Sequence, residues 1–142
     1  MKKELTVQTI IDANIILKKA SLGKMKDGEN FQVVKALRAI KAAATPAQEL
    51  IDAANDKLKP ESYDKVMEWM NHFSTLTDDQ KIEANNIINN YNNKVARCTM
   101  EEMKKTVKID ILPLSEESFG RLIESNDFTV GQILVLQDVL CK

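Results

Sequence analysis

The stretch that decides the fold prediction is residues 77–105, TDDQKIEANNIINNYNNKVARCTMEEMKK. Thr77 and Gln80 form the capping-box pattern of a helix start, and Asp78 suits the positive end of the helix dipole. Apolar residues then recur at helical spacing along one stripe, which consists of Ala84, Ile87, Ile88, Tyr91, Val95 and Cys98. The stretch therefore predicts a long amphipathic helix, with a break or bend near Thr99, where the stripe loses its spacing.

The remaining faces of this helix are rich in asparagine. The residues concerned are Asn85, Asn86, Asn89, Asn90, Asn92 and Asn93. Each asparagine costs roughly 0.5–0.7 kcal/mol relative to alanine in a helix interior, which amounts to about 3–4 kcal/mol for the set. Packing of the apolar stripe must offset that cost, so we expect the helix to lie centrally in the core. A solvated surface is the simpler interpretation of the asparagine face, and a hydrogen-bonding recognition surface is the alternative.

The composition favours a helical fold. The chain has 142 residues, 44% of them hydrophobic and 29% charged, with only four glycines and three prolines. Such a length suits one domain, and so few turn residues do not suit a sheet of many strands. We therefore predict an all-α protein, an irregular helical bundle built on two long helices. The whole chain is expected to form a single domain, with a subdivision into a helical hairpin over 1–59 and a C-terminal helical part over 60–142 as the alternative.

The second long helix is predicted over about 30–58. Its apolar residues follow a strict 3,4,3,4,3,4 spacing, and they are Leu37, Ile40, Ala44, Ala47, Ile51, Ala54 and Leu58. Thr45 and Pro46 are also compatible with the end of one helix and the cap of another. Because the spacing passes through Pro46 without a slip, we prefer one helix that is kinked there.

Shorter elements complete the prediction. Helices are expected over 7–21, 62–74, 116–125 and 130–140. Their cap signals are Thr6, Ser115 and Thr129 as N-caps, with Asn126 as a left-handed stop. Residues 107–111 alternate between apolar and charged side chains, which is typical of a strand. At most one short strand is predicted there, because no partner for it is recognisable, and an extended crossing remains the alternative.

No constellation of residues points to catalysis. His72 is the only histidine, and no sequence signature ties it to Cys98 as a base and nucleophile. The paired acidic residues each fall in the first turn of a predicted helix, where the helix dipole explains them. The chain has no glycine-rich phosphate cradle and no metal-ligand spacing. We therefore expect a protein that is not an enzyme, with no catalytic, metal-binding or cofactor-binding residues and no cofactor.

The charge is distributed unevenly along the chain. The net charge is -1, but residues 1–44 hold nine Lys and Arg against four Asp and Glu, while residues 45–142 hold eleven against seventeen. The candidate basic patch consists of Lys18, Lys19, Lys24, Lys26, Lys35, Arg38 and Lys41. Because aromatic residues are not interleaved with it, nucleic acid is the less favoured partner. Without an apolar run of membrane-spanning length, we expect no membrane association, and both Cys98 and Cys141 should stay reduced in an intracellular setting.

The two long helices predict a protein-binding surface. At about 1.5 Å per residue each spans on the order of 40 Å, more than a compact domain of this size can cover from end to end. Some apolar surface should therefore remain exposed. The candidate partner surface consists of Ile51, Leu58, Met67 and Met70. We expect self-association or a protein partner.

The C-terminal third, KIDILPLSEESFGRLIESNDFTVGQILVLQDVL at residues 108–140, resembles the ending of a domain-of-unknown-function family of short tailed-phage and prophage proteins. Residues 10–59 resemble the early part of that family loosely, and Tyr63 to Phe73 departs from it. The resemblance implies phage origin and a non-enzymatic helical protein. Our leading interpretation is therefore a phage-type helical interaction or assembly protein that works through its surfaces, located in the host cytoplasm with virion association open. The alternatives are an inhibitor that binds a host or defence factor and a nucleic-acid-binding accessory protein. No functional residue carries over.

Overall fold

The computed structural model describes all 142 residues, and it is mainly α-helical with one pair of short strands. The elements in chain order are β1 Lys2–Thr6, α1 Val7–Leu17, α2 Asp27–Lys57, α3 Tyr63–Asn71, α4 Asp78–Met103, β2 Thr106–Asp110, α5 Glu116–Glu124 and α6 Val130–Leu140, with a short 3₁₀ turn over Phe73–Thr75. The predicted mainly helical class is confirmed, and α2 and α4 are the two long helices. No helix is both long enough and apolar enough to cross a membrane.

The chain forms two compact units. Unit 1 contains residues 1–48 and 103–142, and unit 2 contains residues 49–102. These boundaries differ from the subdivision at residue 59 considered above. The reason is that β1 pairs with β2, which brings the first and last thirds of the chain into one unit.

The predicted strand near residues 107–111 is present as β2, and its partner is β1, which the sequence analysis did not recognise. The two strands are antiparallel, with Lys3 opposite Ile109 and Leu5 opposite Val107. Ile109 is buried, whereas Val107 and Leu5 are half-buried, so this face of the sheet packs against the core. The side chain of Lys3 donates hydrogen bonds to carbonyl oxygens at the end of α6. A lysine there complements the negative end of the helix dipole.

The opposite face of the sheet is polar, and its residues pair by charge. Lys2 lies opposite Asp110, and Glu4 lies opposite Lys108. Oppositely charged side chains that face each other across two strands stabilise the pairing, whereas like charges would oppose it. This pattern favours the observed alignment of the strands over one slipped by a single residue.

The apolar core of unit 1 contains most of the buried residues of the chain. Its largest fully buried side chains are Ile10, Ile40, Leu122, Leu136, Val139 and Leu140. They lie on α1, α2, α5 and α6, and α1 packs directly against α6. The expectation that α4 is central to the core is wrong, because Ala84 is its only buried residue. Its apolar stripe is otherwise half-buried, and the six asparagines are exposed as expected.

Unit 2 has a thinner core, formed by Ile51, Val66 and Ala84. Aromatic contacts supplement it. The rings of Tyr63 and Tyr91 meet edge to face with their centroids 5.2 Å apart. Lysine ammonium groups lie over three aromatic rings, in the pairs Lys59–Tyr63, Lys65–Trp69 and Lys81–Phe73. Such contacts stabilise exposed aromatic surface by about 0.5–1 kcal/mol each.

The predicted helix starts are confirmed by their hydrogen bonds. Thr6, Ser115 and Thr129 each accept a backbone hydrogen bond from the third residue of the following helix, and Thr77 forms the predicted capping box with Gln80. The helix α2 continues through Pro46 as one element.

Three predictions about helix ends are wrong. The helix α4 continues without a break at Thr99 as far as Met103, and α1 ends at Leu17, four residues earlier than expected. Asn126 is not left-handed, because no residue of the chain has a positive φ. Its side chain instead accepts a hydrogen bond from Ser21 N and donates to Ser21 O and Leu122 O. Asn126 thus ties the end of α5 to the loop that follows α1.

The two cysteines are both free. Each is half-buried, and burial raises the pKa of the Cys141 thiol. A raised pKa lowers the fraction of reactive thiolate at neutral pH, so this cysteine is a poor nucleophile.

Candidate functional site

A cleft of unit 1 has a volume of about 470 Å³. One wall is the first three turns of α2, and the other is the chain that leaves β2. Phe31 on the first wall is 68% exposed, and Leu112 on the second is 65% exposed. Two large apolar side chains on opposite walls of an open cleft are unusual, because burying either would stabilise a monomer by about 1.5–3 kcal/mol. We therefore treat this feature, the α2–β2 cleft, as the candidate site.

The first wall is held by a cluster of charged and polar groups. The carboxylate of Glu29 accepts hydrogen bonds from both Arg121 Nε, at 2.7 Å, and Arg121 Nη2, and from the Ser118 hydroxyl. It also accepts from the backbone N–H of Lys26, at 2.9 Å, at the start of α2. The hydrogen bonds from Arg121 are the main cause that lowers the pKa of Glu29 to about 2. The first turn of α2 is therefore fixed to α5 by a bidentate ion pair.

The second wall is held by backbone hydrogen bonds. Ile111 N donates to Met1 O at 3.0 Å, which extends the strand pairing by one residue. Leu114 N donates to Leu140 O at 2.8 Å, which anchors the chain to the end of α6. Leu112 lies between these two anchors, and its side chain faces solvent. Its position is therefore set by its neighbours and not by its own burial.

The predicted basic patch meets the cleft at one residue. All seven of its residues are exposed, none of them makes an ion pair, and all lie in unit 1. Lys35 lines the α2–β2 cleft itself. Arg38 and Lys41 follow Lys35 along α2 at three-residue spacing, so the three cations lie on neighbouring positions of the helix surface.

The charge asymmetry seen in the sequence coincides with the two units. Unit 1 holds fourteen Lys and Arg against ten Asp and Glu, and unit 2 holds six against eleven. Unit 1 is therefore the positively charged part of the chain and unit 2 the negatively charged part.

The predicted partner surface is corrected at Ile51. This residue is only 2% exposed and belongs to the core of unit 2, so it is not available to a partner. Leu58 and Met70 are half-buried, and Leu58 lines a small cavity of about 100 Å³ beside Tyr91. Met67 is 42% exposed, and it is the only one of the four that is exposed to solvent.

The sequence analysis missed Phe31 and Leu112. Phe31 precedes the regular apolar spacing of α2. Leu112 breaks the alternation of β2, because it takes the position where Lys108 and Asp110 predict a polar residue, and it comes just before a proline. One signal was available, because Phe31 and Lys35 are four residues apart and share a helix face. The basic patch therefore has one aromatic neighbour, Phe31, which the sequence-based prediction of the patch did not include.

Unit 1 has two other clefts, and neither they nor the ionisable residues of the chain form a better candidate site than the α2–β2 cleft. One cleft of about 910 Å³ lies beside Phe119 and Cys141, and one of about 450 Å³ lies between α1 and α6. Burial raises the pKa of Asp12 in the second of these. No group of three or more His, Cys, Asp or Glu side chains is placed to hold a metal ion. His72 is exposed just beyond the end of α3.

Comparison with known proteins gives no relative. No protein-family profile matches the chain, and no curated protein or solved structure matches it either. The function therefore has to be argued from the geometry of the site.

Proposed function

We propose that this chain is a phage-type, non-enzymatic helical assembly protein that makes protein–protein contacts through the α2–β2 cleft. The observation that carries this proposal is the exposure of Phe31 and Leu112 on the two walls of one preformed cleft. Apolar anchors that are centrally placed and surrounded by polar residues are the usual core of a binding interface. The phage origin comes from the resemblance, which lies mainly in residues 108–140.

A nucleic-acid-binding accessory protein is the second candidate. It is favoured by the seven exposed cations without ion pairs, to which Phe31 adds one aromatic side chain. That function requires affinity for DNA or RNA that falls steeply with salt and with Lys35→Glu. An inhibitor of a host or defence factor would use the same cleft, and it would be encoded among early genes and not among head and tail genes.

The test of the proposed function is association that depends on the cleft. The mass of the pure protein would be followed by light scattering at rising concentration, and co-purification would be tested with the product of each neighbouring gene. We expect at least one association, and we expect Phe31→Gln to weaken it about tenfold or more. Val130→Gln is the matched control, because Val130 is also an exposed apolar residue on a helix of unit 1 but lies outside the cleft. If no association depends on Phe31, the proposal is wrong.

A further inference from the structure

We infer that the α2–β2 cleft binds a second copy of this chain, through the acidic surface around Ile82 on α4. This inference rests on the proposed function and names the occupant of the cleft. It starts from the segregation of charge, since unit 1 carries an excess of cations and unit 2 an excess of carboxylates. A chain with two oppositely charged surfaces carries its own complementary partner in every other copy.

The surface around Ile82 matches the cleft in chemistry. Ile82, in the first turns of α4, is a large aliphatic side chain that is 60% exposed. Asp78 and Asp79 lie four and three residues before it on the same helix face, and the exposed Glu83 follows it on the adjoining face. None of the three makes an ion pair.

The one lysine in this surface is engaged with a ring. The Lys81 ammonium lies over the ring of Phe73, 5.5 Å from its centroid, and forms no ion pair with these carboxylates. The surface thus presents an apolar centre with a negative border. The cleft has the apolar side chains of Phe31 and Leu112 on its two walls, and its charged lining residues are Lys35 and Asp110. Arg38 and Lys41 follow Lys35 along α2.

The two surfaces suit each other energetically. An isoleucine inserted between Phe31 and Leu112 would remove all three apolar side chains from water, which supplies the affinity. The carboxylates would meet the cations at the border of the contact, where charges add mainly orientation and association rate. Because such border charges stay partly solvated, raising the salt concentration should weaken the contact without abolishing it.

The experiment uses two variants of the full chain that each lose one surface. Phe31→Gln removes the apolar centre of the cleft, and Ile82→Gln removes the apolar centre of the acidic surface. Both residues are exposed on helices and glutamine is a good helix former, so both variants should fold as the wild type does. Val130→Gln and Leu50→Gln are the matched controls, because each changes an exposed apolar helix residue, one in each unit.

Sedimentation velocity would report self-association of each protein. We expect the wild type and both controls to associate. Each of the two variants alone should associate at least about tenfold more weakly than the wild type. The decisive sample is the equimolar mixture, in which the intact cleft of the Ile82→Gln chain can bind the intact acidic surface of the Phe31→Gln chain. We expect the mixture to recover a 1:1 complex at concentrations where neither variant associates alone.

The outcomes separate this inference from the proposed function. If Phe31→Gln weakens association and Ile82→Gln does not, the cleft is an interface but α4 of a second copy does not fill it. A wild-type protein that stays monomeric at high micromolar concentration overturns this inference. The proposed function is then decided separately, by whether co-purification of a different protein depends on Phe31. Retention on DNA that depends on Lys35, without self-association, would assign the surface to nucleic acid.

Discussion

Replacement of Asn126 tests a position where the conformation predicted from the sequence differs from the one in the structure. Asparagine just after a helix is often a left-handed stop, and at such a position glycine is neutral or stabilising. In the structure φ is not positive, and the side chain makes three hydrogen bonds that join the end of α5 to Ser21. Each bond is worth about 0.5–1.5 kcal/mol, and two of the three are exposed, so Asn126→Ala should cost about 2 kcal/mol.

Urea unfolding followed by circular dichroism measures this loss. With a slope of about 2 kcal/mol per molar urea, the midpoint for Asn126→Ala should fall by about 1 M at an unchanged slope. Asn126→Gly should lose slightly more, because glycine adds unfolded-state entropy without restoring a hydrogen bond. Asn126→Asp is the matched comparison and should lose at least as much as Asn126→Ala. Its carboxylate still accepts from Ser21 N, but it faces the carbonyl oxygens of Ser21 and Leu122 without a donor at the negative end of α5. A glycine variant as stable as the wild type would refute the observed geometry.

Two further predictions concern α2. The pKa of Glu29 is lowered from 4.5 to about 2, so its ion pair with Arg121 stabilises the fold fully above pH 4.5 and progressively less as the pH falls toward 2. The urea midpoint of the wild type should therefore fall more steeply over this range than that of Glu29→Gln, and parallel curves would contradict the ion pair. Because α2 runs unbroken through Pro46, Pro46→Ala should raise the stability by up to about 3 kcal/mol, and Thr45→Ala should change it by less than about 0.7 kcal/mol. A loss of about 1 kcal/mol in Thr45→Ala would instead indicate a helix cap at that position.

Local signals explain why the helices could be predicted from the sequence. Thr77 and Thr129 each mark a helix start through a hydrogen bond to a residue three positions later. The apolar spacing of α2 passes through Pro46 in the sequence, as the helix does in the structure. The bounds of α6 agree with the prediction at both ends. In each case the residues that determine the element lie inside it or next to it.

The missed features depend on residues far apart in the chain. Leu5 is the only large apolar residue of β1, and the segment becomes a strand because β2, about a hundred residues later, supplies its hydrogen bonds. Asn126 adopts its role because Ser21 is adjacent in space. The exposure of Phe31 likewise depends on where Leu112 lies, and helical spacing alone cannot reveal it. Of the residues at the candidate site, the sequence therefore predicted only the cations and not the two exposed apolar side chains.

The way in which the cleft is held bears on its ability to bind. Its walls are fixed by contacts that do not involve the two exposed apolar side chains, namely the Glu29–Arg121 ion pair on one side and the backbone bonds of Ile111 and Leu114 on the other. Much of the free-energy cost of association comes from the ordering of side chains and loops. A preformed cleft is already ordered, so it loses less conformational entropy when a partner binds. Phe31 and Leu112 can therefore be replaced without unfolding the chain, so binding through the cleft can be separated experimentally from its stability.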